Sequence, residues 1–410
     1  SGVKVEPLGS CVQLVLERSG RKIVYSRLRA TDAAGKDLPA RMEAASKSEI
    51  RNPKPEIGLC VLVDDTDAVY PIRIDPTFSD ANWISLGGIP GANSYVRAAV
   101  VDGSGNLYVG GEFTVVGDVA ANYVAKWNGT SWSALGSGMD LSVYALAVSG
   151  TNLYAGGYFT TAGGISASRI AKWNGSNWSA LGMGMGGSSP YVGALAVSGS
   201  DLYAAGTFTI AGVISANHIA KWDGISWGSL GSIGGGTEDI VNALAVSGGD
   251  VYVGGQFQRV GANYGGTATA AKAIAKWNSG SWSSVGSGMN SFVYAVAVSG
   301  TDVYAGGQFL RAGAVTANNI AKWNGSNWSA LGTGTDVTVS ALAVSGGDLY
   351  AGGTFLNAGG LPVNYIAKWN GSSWSALGSG MNNSVSALAV SGGDVCAGGC
   401  FSPAGGNAAN

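Results

Sequence analysis

Residues Val143–Phe159 read VYALAVSGTNLYAGGYF, and the phrase returns as VNALAVSGGDVYVGGQF from Val241, VYAVAVSGTDVYAGGQF from Val293, VSALAVSGGDLYAGGTF from Val339 and VSALAVSGGDVCAGGCF from Val385. Two looser copies end at Phe113 and Phe208, so the closing phenylalanines fall at 113, 159, 208, 257, 309, 355 and 401. The steps between them are 46, 49, 49, 52, 46 and 46 residues. A steady period of this size marks a repeat architecture, in which each unit buries its apolar face against its neighbours.

Each unit divides into four short runs, which in the copy starting at Val143 are YALAVS, NLYAGGYF, RIAKWN and NWSAL, here called strands A to D. Run A is almost entirely small and apolar, as an innermost strand crowded around a central axis requires. SGTN or SGGD between A and B, and WNGSNW between C and D, supply the Gly and Asn that tight hairpins need at positive φ. The B-to-C and D-to-A connections are longer. Seven such units predict an all-β chain: a seven-bladed β-propeller of four-stranded blades over residues 77–410. The stretch SDANWISLGG (79–88) copies a strand D with no A, B or C before it, whereas the last copy has only A and B. The strand around 79–88 is therefore expected to close the last blade, removing the sheet edges that an open array would leave.

Residues 1–76 hold most of the chain's Glu and Arg and little of its Gly. The alternating runs CVQLVLE, KIVYSRL, LCVLVDD and YPIRIDP predict a small N-terminal β-rich domain. Charged residues are only 12% of the chain and the net charge is -2, which leaves no electrostatic footprint for nucleic acid or acidic lipid. The 68 glycines exceed the usual ~7%, but abundant aromatic and β-branched residues make them turn punctuation and not a sign of disorder. No apolar run approaches the roughly 20 residues of a membrane helix. A chain that opens on Ser1 and stops at Asn410 partway through a repeat is expected to be a piece of a longer polypeptide.

The Gly-Gly pair ending strand B (Gly156 and Gly157, Gly254 and Gly255, Gly306 and Gly307, Gly352 and Gly353) and the Trp opening strand D resemble kelch repeats, from Trp83 to Asn410. The chain departs from that pattern in the Lys172-Trp173 of strand C and in Ala205, which replaces one Gly. VYSRLRATDAAGKDLPARME and VDDTDAVYPIRIDP are similar to segments preceding repeat regions in large bacterial secreted proteins, a resemblance that implies an extracellular or cell-surface location. Galactose oxidase carries a kelch propeller, but its copper site needs two histidines and this chain has only His218. The WNGSNW hairpin is similar to the aspartate-box turn of sialidases, yet it lacks the S-x-D-x-G-x-x-W spacing.

The four cysteines lack C-x-x-C spacing, so they form neither a disulfide scaffold nor a zinc site. Cys396 and Cys400 share one strand and stand about 13 Å apart at ~3.3 Å per residue, too far to bridge each other. Cys11 and Cys60 lie on separate expected strands, free or paired. Trp pairs such as Trp173 and Trp178 either pack between blades or stack sugars. Lys126, Lys172, Lys221, Lys276, Lys322 and Lys368 recur in register, as a ring for anions or as stems lying on blade faces with their ammonium groups in water. Met139, Met289 and Met381 either rim a partner site or pack under the next blade. Asn128, Asn174 and Asn324 open turns and also stand in Asn-x-Ser/Thr triplets.

Asp140, Glu238, Asp239, Asn290, Asp336 and Asn382 collect in D-to-A loops, which together with the B-to-C loops carry nearly all the variation between copies. The longest B-to-C loop, Gln258–Ala273, contains Asn263 and Tyr264. These eight residues are the candidate ligand-binding set, on the face where both loop families emerge. Oxygen ligation of Ca²⁺ by the acidic loops is the rival reading, although the dense D-x-D-x-D-G spacing is absent. The expected function is a non-enzymatic extracellular or cell-surface binding or assembly module, with a protein or glycan partner on that face. A lectin-like multivalent propeller and an enzyme with a central-channel site are the alternatives. No catalytic set, metal or cofactor is expected.

Overall fold

The computed structural model describes strands within 3–78, positions 66, 83 and 86, and then 91–231, 236–261, 268–391, 393–404 and 407–408. The chain divides into two compact units, Ser1–Trp83 and Ile84–Asn410. In the first unit Val3–Leu8, Cys11–Leu16, Lys22–Thr31 and Asp37–Leu38 pair antiparallel in sequence order, and Arg73–Phe78 pairs along Lys22–Thr31. Ala40–Ala44 and Leu59–Val63 form a separate pair. Three of these strands, Val3–Leu8, Asp37–Leu38 and Ala40–Ala44, were not among the sequence expectations. Cys11 and Cys60 stand on different sheets, and the question of their pairing falls on side chains outside the described residues.

The second unit is built from the repeat. The copy at Val143 forms an antiparallel sheet in the order Val143–Ser149, Asn152–Gly157, Ile170–Trp173 and Trp178–Ala180, and four-stranded sheets of the same order make up blades 1 to 6. The A-to-B hairpin closes over two residues, with Gly150 at φ +57° between the paired Ser149 and Asn152. Asn174 holds the C-to-D turn by accepting from the backbone N–H groups of Ser176 and Asn177. Blade 7 shows Val385–Ser391 paired with Asp394–Gly399. Each strand A lies beside that of the next blade, and Val385–Ser391 lies beside Val96–Val101 of blade 1. The ring is closed: the unit is a seven-bladed β-propeller.

Two interlocks explain why the repeated residues are repeated. The first glycine of the strand-B pair packs under the valine that opens strand A of the next blade; a Cβ on Gly156 would meet Val192 Cγ1 at 2.4 Å. The same contact closes the circle, because a Cβ on Gly398 of blade 7 would meet Val96 Cγ1 of blade 1 at 2.5 Å. The second interlock is the strand-D tryptophan, whose indole N–H donates to a carbonyl at the end of strand D in the preceding blade. Trp178 donates to Leu135 O at 2.8 Å, Trp227 to Leu181 O at 2.9 Å and Trp374 to Leu331 O at 2.8 Å. Trp132 of blade 1 donates to Leu86 O at 2.8 Å, within the strand-D-like stretch 79–88, of which only Trp83 and Leu86 are described. The closing phenylalanines of blades 1 to 6, such as Phe159 and Phe257, are fully buried, each contributing about 1.5–3 kcal/mol.

Candidate functional site

The two loop families meet on one face, as their variation suggested. Met139 bridges to Ala162, Met289 to Ala312 and Met381 to Ala404, each joining a D-to-A loop to the B-to-C loop of the following blade. Those methionines are buried, so they pack beneath the loops and form no apolar rim. The B-to-C loops are themselves small hairpins, for example Thr161–Ala162 with Ile165–Ser166.

The polar D-to-A residues stand in the loops that lead into blades 2, 4, 5, 6 and 7, and they have internal partners. Asp140 Oδ1 accepts from the backbone N–H groups of Thr160 and Thr161 at 2.8 and 2.9 Å. Asn290 takes the N–H groups of Leu310 and Arg311, Asp336 those of Leu356 and Asn357, Glu238 that of Gln258 and Asn382 that of Ser402. Asp239 accepts from the N–H of Ile240. Asn93, not singled out in the sequence, does the same in blade 1 for Thr114 and Val115. Burial alone would raise the Asp140 carboxyl, but the bonds from Thr160 and Thr161 outweigh it and hold the group below its ordinary range. Asp336 is lowered in the same way, by Asn357 and Leu356. These oxygens brace the loops separately and do not converge. Asn263 and Tyr264 lie outside the described residues.

A second ring sits inside the first. In every blade strand A carries a β-bulge between its opening valine and the next alanine, as at Val143/Ala145. The extra residue is Arg97, Tyr144, Gly193, Asn242, Tyr294, Ser340 or Ser386. A bulge leaves its extra residue unpaired and re-aims its side chain, so one strand-A position is free to vary between invariant neighbours. Arg97, Tyr144, Gly193, Ser340 and Ser386 line a central cavity of about 190 Å³, whose remaining wall is Ala and Leu or their equivalents from all seven blades. Arg97 is neutralised by Glu112, at 2.8 Å from Nη2 to Oε1, and lies over the Tyr95 ring at 4.6 Å. Tyr144 meets Tyr191 edge to face at 5.7 Å between centroids, and Phe292 lies 6.3 Å from Tyr294. Burial, with Tyr144 second, raises the Tyr191 phenol above its ordinary value. Tyr144 in the cavity lining, with Tyr191 against it, gives the mouth its aromatic character, and the Arg97 guanidinium there is paired with Glu112. Sequence comparison of the copies contained the signal, a single variable position between constant Val and Ala, but the bulge that aims it is invisible in composition.

The exposed apolar side chains follow this geometry. Of thirteen large hydrophobic residues exposed among the described residues, only Ile225 lies in a C-to-D turn. The other twelve, including Leu141, Tyr158, Ile165, Val213, Phe292 and Leu310, lie in D-to-A or B-to-C connections.

The other repeated residues are structural. The Trp pairs stand 5.2–5.4 Å apart with the strand-D indole N–H engaged between blades, which removes that donor from a sugar site. Lys221, Lys276, Lys322 and Lys368 meet Asp201, Asp250, Asp302 and Asp348 at 2.9, 3.2, 2.6 and 3.6 Å, so their ammonium groups face carboxylates and not water alone. His218 donates from Nδ1 to Thr237 O at 3.0 Å, and it occupies a left-handed position, φ +62°, shared by Tyr123, Arg169, Ala273, Asn319 and Tyr365. Cys396 and Cys400 are free thiols. Among the described residues no three His, Cys, Asp or Glu side chains group as a metal site, and no helix is long and apolar enough to cross a membrane.

No family model and no curated protein matches the chain. Among solved structures it is similar to the WD40 β-propeller domain of Doa1, at 13% identity over 77% of this chain and 93% of that one, with a TM-score of 0.52. It is also similar to the computationally designed Ika8 protein, at 17% identity over 77% and 96% with a TM-score of 0.48, and to YCF48 bound to D1 peptide, at 10% over 76% and 92% with a TM-score of 0.48. The first of these likenesses shows the propeller fold.

Proposed function

We propose that the chain is a non-enzymatic binding or assembly module that takes a protein partner on the face carrying the D-to-A and B-to-C loops, centred on the aromatic channel mouth. The observation that carries this reading is the segregation of exposed apolar side chains to that face, with Ile225 alone among the described residues in a turn of the opposite one. Contiguous exposed apolar surface bordered by polar groups marks interaction sites, and Tyr is enriched at their energetic centres. The loop-bracing residues Asp140, Asn290, Asp336 and Asn382 hold this surface in shape. The chain works outside the cell or at its surface, in keeping with the kelch-like repeat and the bacterial resemblance of residues 24–43 and 63–76. In this reading residues 77–410 form the propeller, and the stretch 79–88 serves as strand D of the last blade, with Leu86 receiving Trp132 as the other blades' carbonyls receive their tryptophans.

A displayed peptide library panned against the protein, alongside a glycan array, tests the reading. Selected peptides are expected to lose binding to the Tyr144→Ala/Tyr294→Ala variant while its melting temperature holds. Peptides indifferent to that variant, or array hits on glycans alone, contradict it.

A further inference from the structure

We propose that Asn128 and Asn370, in the C-to-D turns of blades 1 and 6, are sites of covalent self-modification: in the folded chain each loses its side-chain amide nitrogen and becomes aspartate or isoaspartate, faster than the matching Asn174 and Asn324. The inference concerns the turns opposite the D-to-A and B-to-C loops and stands apart from any partner bound there.

The chain has four Asn-Gly pairs, at Asn128, Asn174, Asn324 and Asn370, and all four occupy the same place in the repeat. The four asparagines are exposed. The glycines that follow them hold φ from +95° to +100°. A Cβ on any of Gly129, Gly175, Gly325 and Gly371 would meet nothing within 4 Å, so the main-chain nitrogen beside each side chain is uncrowded.

The step is intramolecular. The glycine nitrogen adds to Asn Cγ, closing a succinimide ring, while its proton passes to the departing nitrogen; the Cγ–Nδ2 bond breaks and ammonia leaves. Water then opens the ring at either carbonyl, giving aspartate or isoaspartate. Negative charge develops on Oδ1 as the nitrogen adds, and donors already aimed at that oxygen lower the barrier.

The four turns differ in those donors. Asn128 Oδ1 accepts from the Thr130 N–H and hydroxyl, both at 2.9 Å, from the Ser131 N–H at 2.8 Å and from the Ser131 hydroxyl at 3.4 Å. Asn370 Oδ1 takes the same set from Ser372, at 3.0 and 3.0 Å, and from Ser373, at 2.8 and 3.3 Å. At Asn174 and Asn324 the donors among the described residues are the two backbone N–H groups, of Ser176 and Asn177 and of Ser326 and Asn327. Asn177 and Asn327 stand where Ser131 and Ser373 supply a hydroxyl.

The two remaining turns bound the inference. Blade 3 has Asp223 at this place, and its Oδ1 accepts from the N–H groups of Ile225 and Ser226, both at 2.8 Å, so the aspartate product is one the turn already holds. Asn278 of blade 4 turns its Nδ2 to Asp250 and precedes Ser279, whose side chain crowds the attacking nitrogen, so it is expected to stay unmodified. Each conversion adds one negative charge to a chain of formal net charge -2.

The test ages the 410-residue chain in mildly alkaline buffer, folded in one arm and in urea in the other, and follows each turn by peptide mapping and mass spectrometry. In the folded chain Asn128 and Asn370 are expected to convert about five-fold faster than Asn174 and Asn324, as one further neutral hydrogen bond to the developing charge implies. In urea, where each site is only an Asn-Gly followed by Ser or Thr, the four rates should converge. Thr130→Val and Ser372→Ala, both at exposed turn positions, should slow Asn128 and Asn370 to the rate of Asn174. Equal rates at the four sites of the folded chain, a ranking that survives in urea, or variants that convert as fast as the parent overturn the proposal.

Discussion

Gly156 and Gly157 are neighbours of identical type, and their surroundings separate them. A Cβ on Gly157 would fall 2.1 Å from the Ser142 carbonyl oxygen, part of the backbone that forms the strand-A bulge, and nothing there can yield cheaply. A Cβ on Gly156 would press on the Val192 side chain of the next blade, and blade 3 already tolerates an alanine at this place, Ala205, fully buried among apolar neighbours. Gly157→Ala is therefore expected to cost about 2–3 kcal/mol and Gly156→Ala about 1 kcal/mol or less, measured by urea denaturation. Equal losses at both positions would contradict this division. The pair was legible as a repeat, but which glycine serves the bulge and which serves the next blade depends on contacts that sequence does not state. The left-handed residue before strand C was hidden more deeply. Its side chain varies from Ala273 to Arg169, so nothing in residue type betrays a φ near +60°, although its backbone clasps strand B through Gly157 N–H to Arg169 O and Arg169 N–H to Phe159 O.

At the scale of elements, the strands and hairpins were readable because alternation and turn chemistry are local, as with Asn174 and Gly150. The bracing of the B-to-C loops was not, since Asp140 meets amide groups some twenty residues ahead and polar loop residues ordinarily face water. Its consequence is a pH dependence. Asp140 and Asp336 are held below the ordinary carboxylate range in the folded chain, so the stability they contribute is present above their unfolded pKa of about 3.9 and is lost as pH falls through the lower folded value. Blades 1, 5 and 7 use Asn93, Asn290 and Asn382 for the same task, and Asn93 also donates from Nδ2 to Thr114 Oγ1 at 3.1 Å. Asp140→Asn/Asp336→Asn is thus expected to match the parent's melting temperature near neutral pH and to lose less of it between pH 4 and the acid limit, in a thermal-shift series. A variant with the parent's acid sensitivity would show that other carboxylates govern it.

For the whole molecule, the decisive question is whether seven copies make a ring or an open array. Periodicity alone serves both. The structure decides through the join: Val96 packs on Gly398 as Val192 packs on Gly156, and Val385–Ser391 lies beside Val96–Val101. Closure also concentrates the variable bulge residues at a single channel mouth, where an open array would spread them along a line, so the proposed binding face depends on it. The most direct measurement is cysteine cross-linking across the join. A Cβ on Gly105 of blade 1 would stand 3.9 Å from Ser391 Oγ of blade 7, and Gly105→Cys/Ser391→Cys can be placed in a background with the four native cysteines changed to serine. A closed ring predicts an intramolecular bridge on oxidation, seen as a faster monomer band without reductant and as a linked peptide by mass spectrometry. Free thiols in a folded monomer, or bridges formed only between molecules, would contradict the ring.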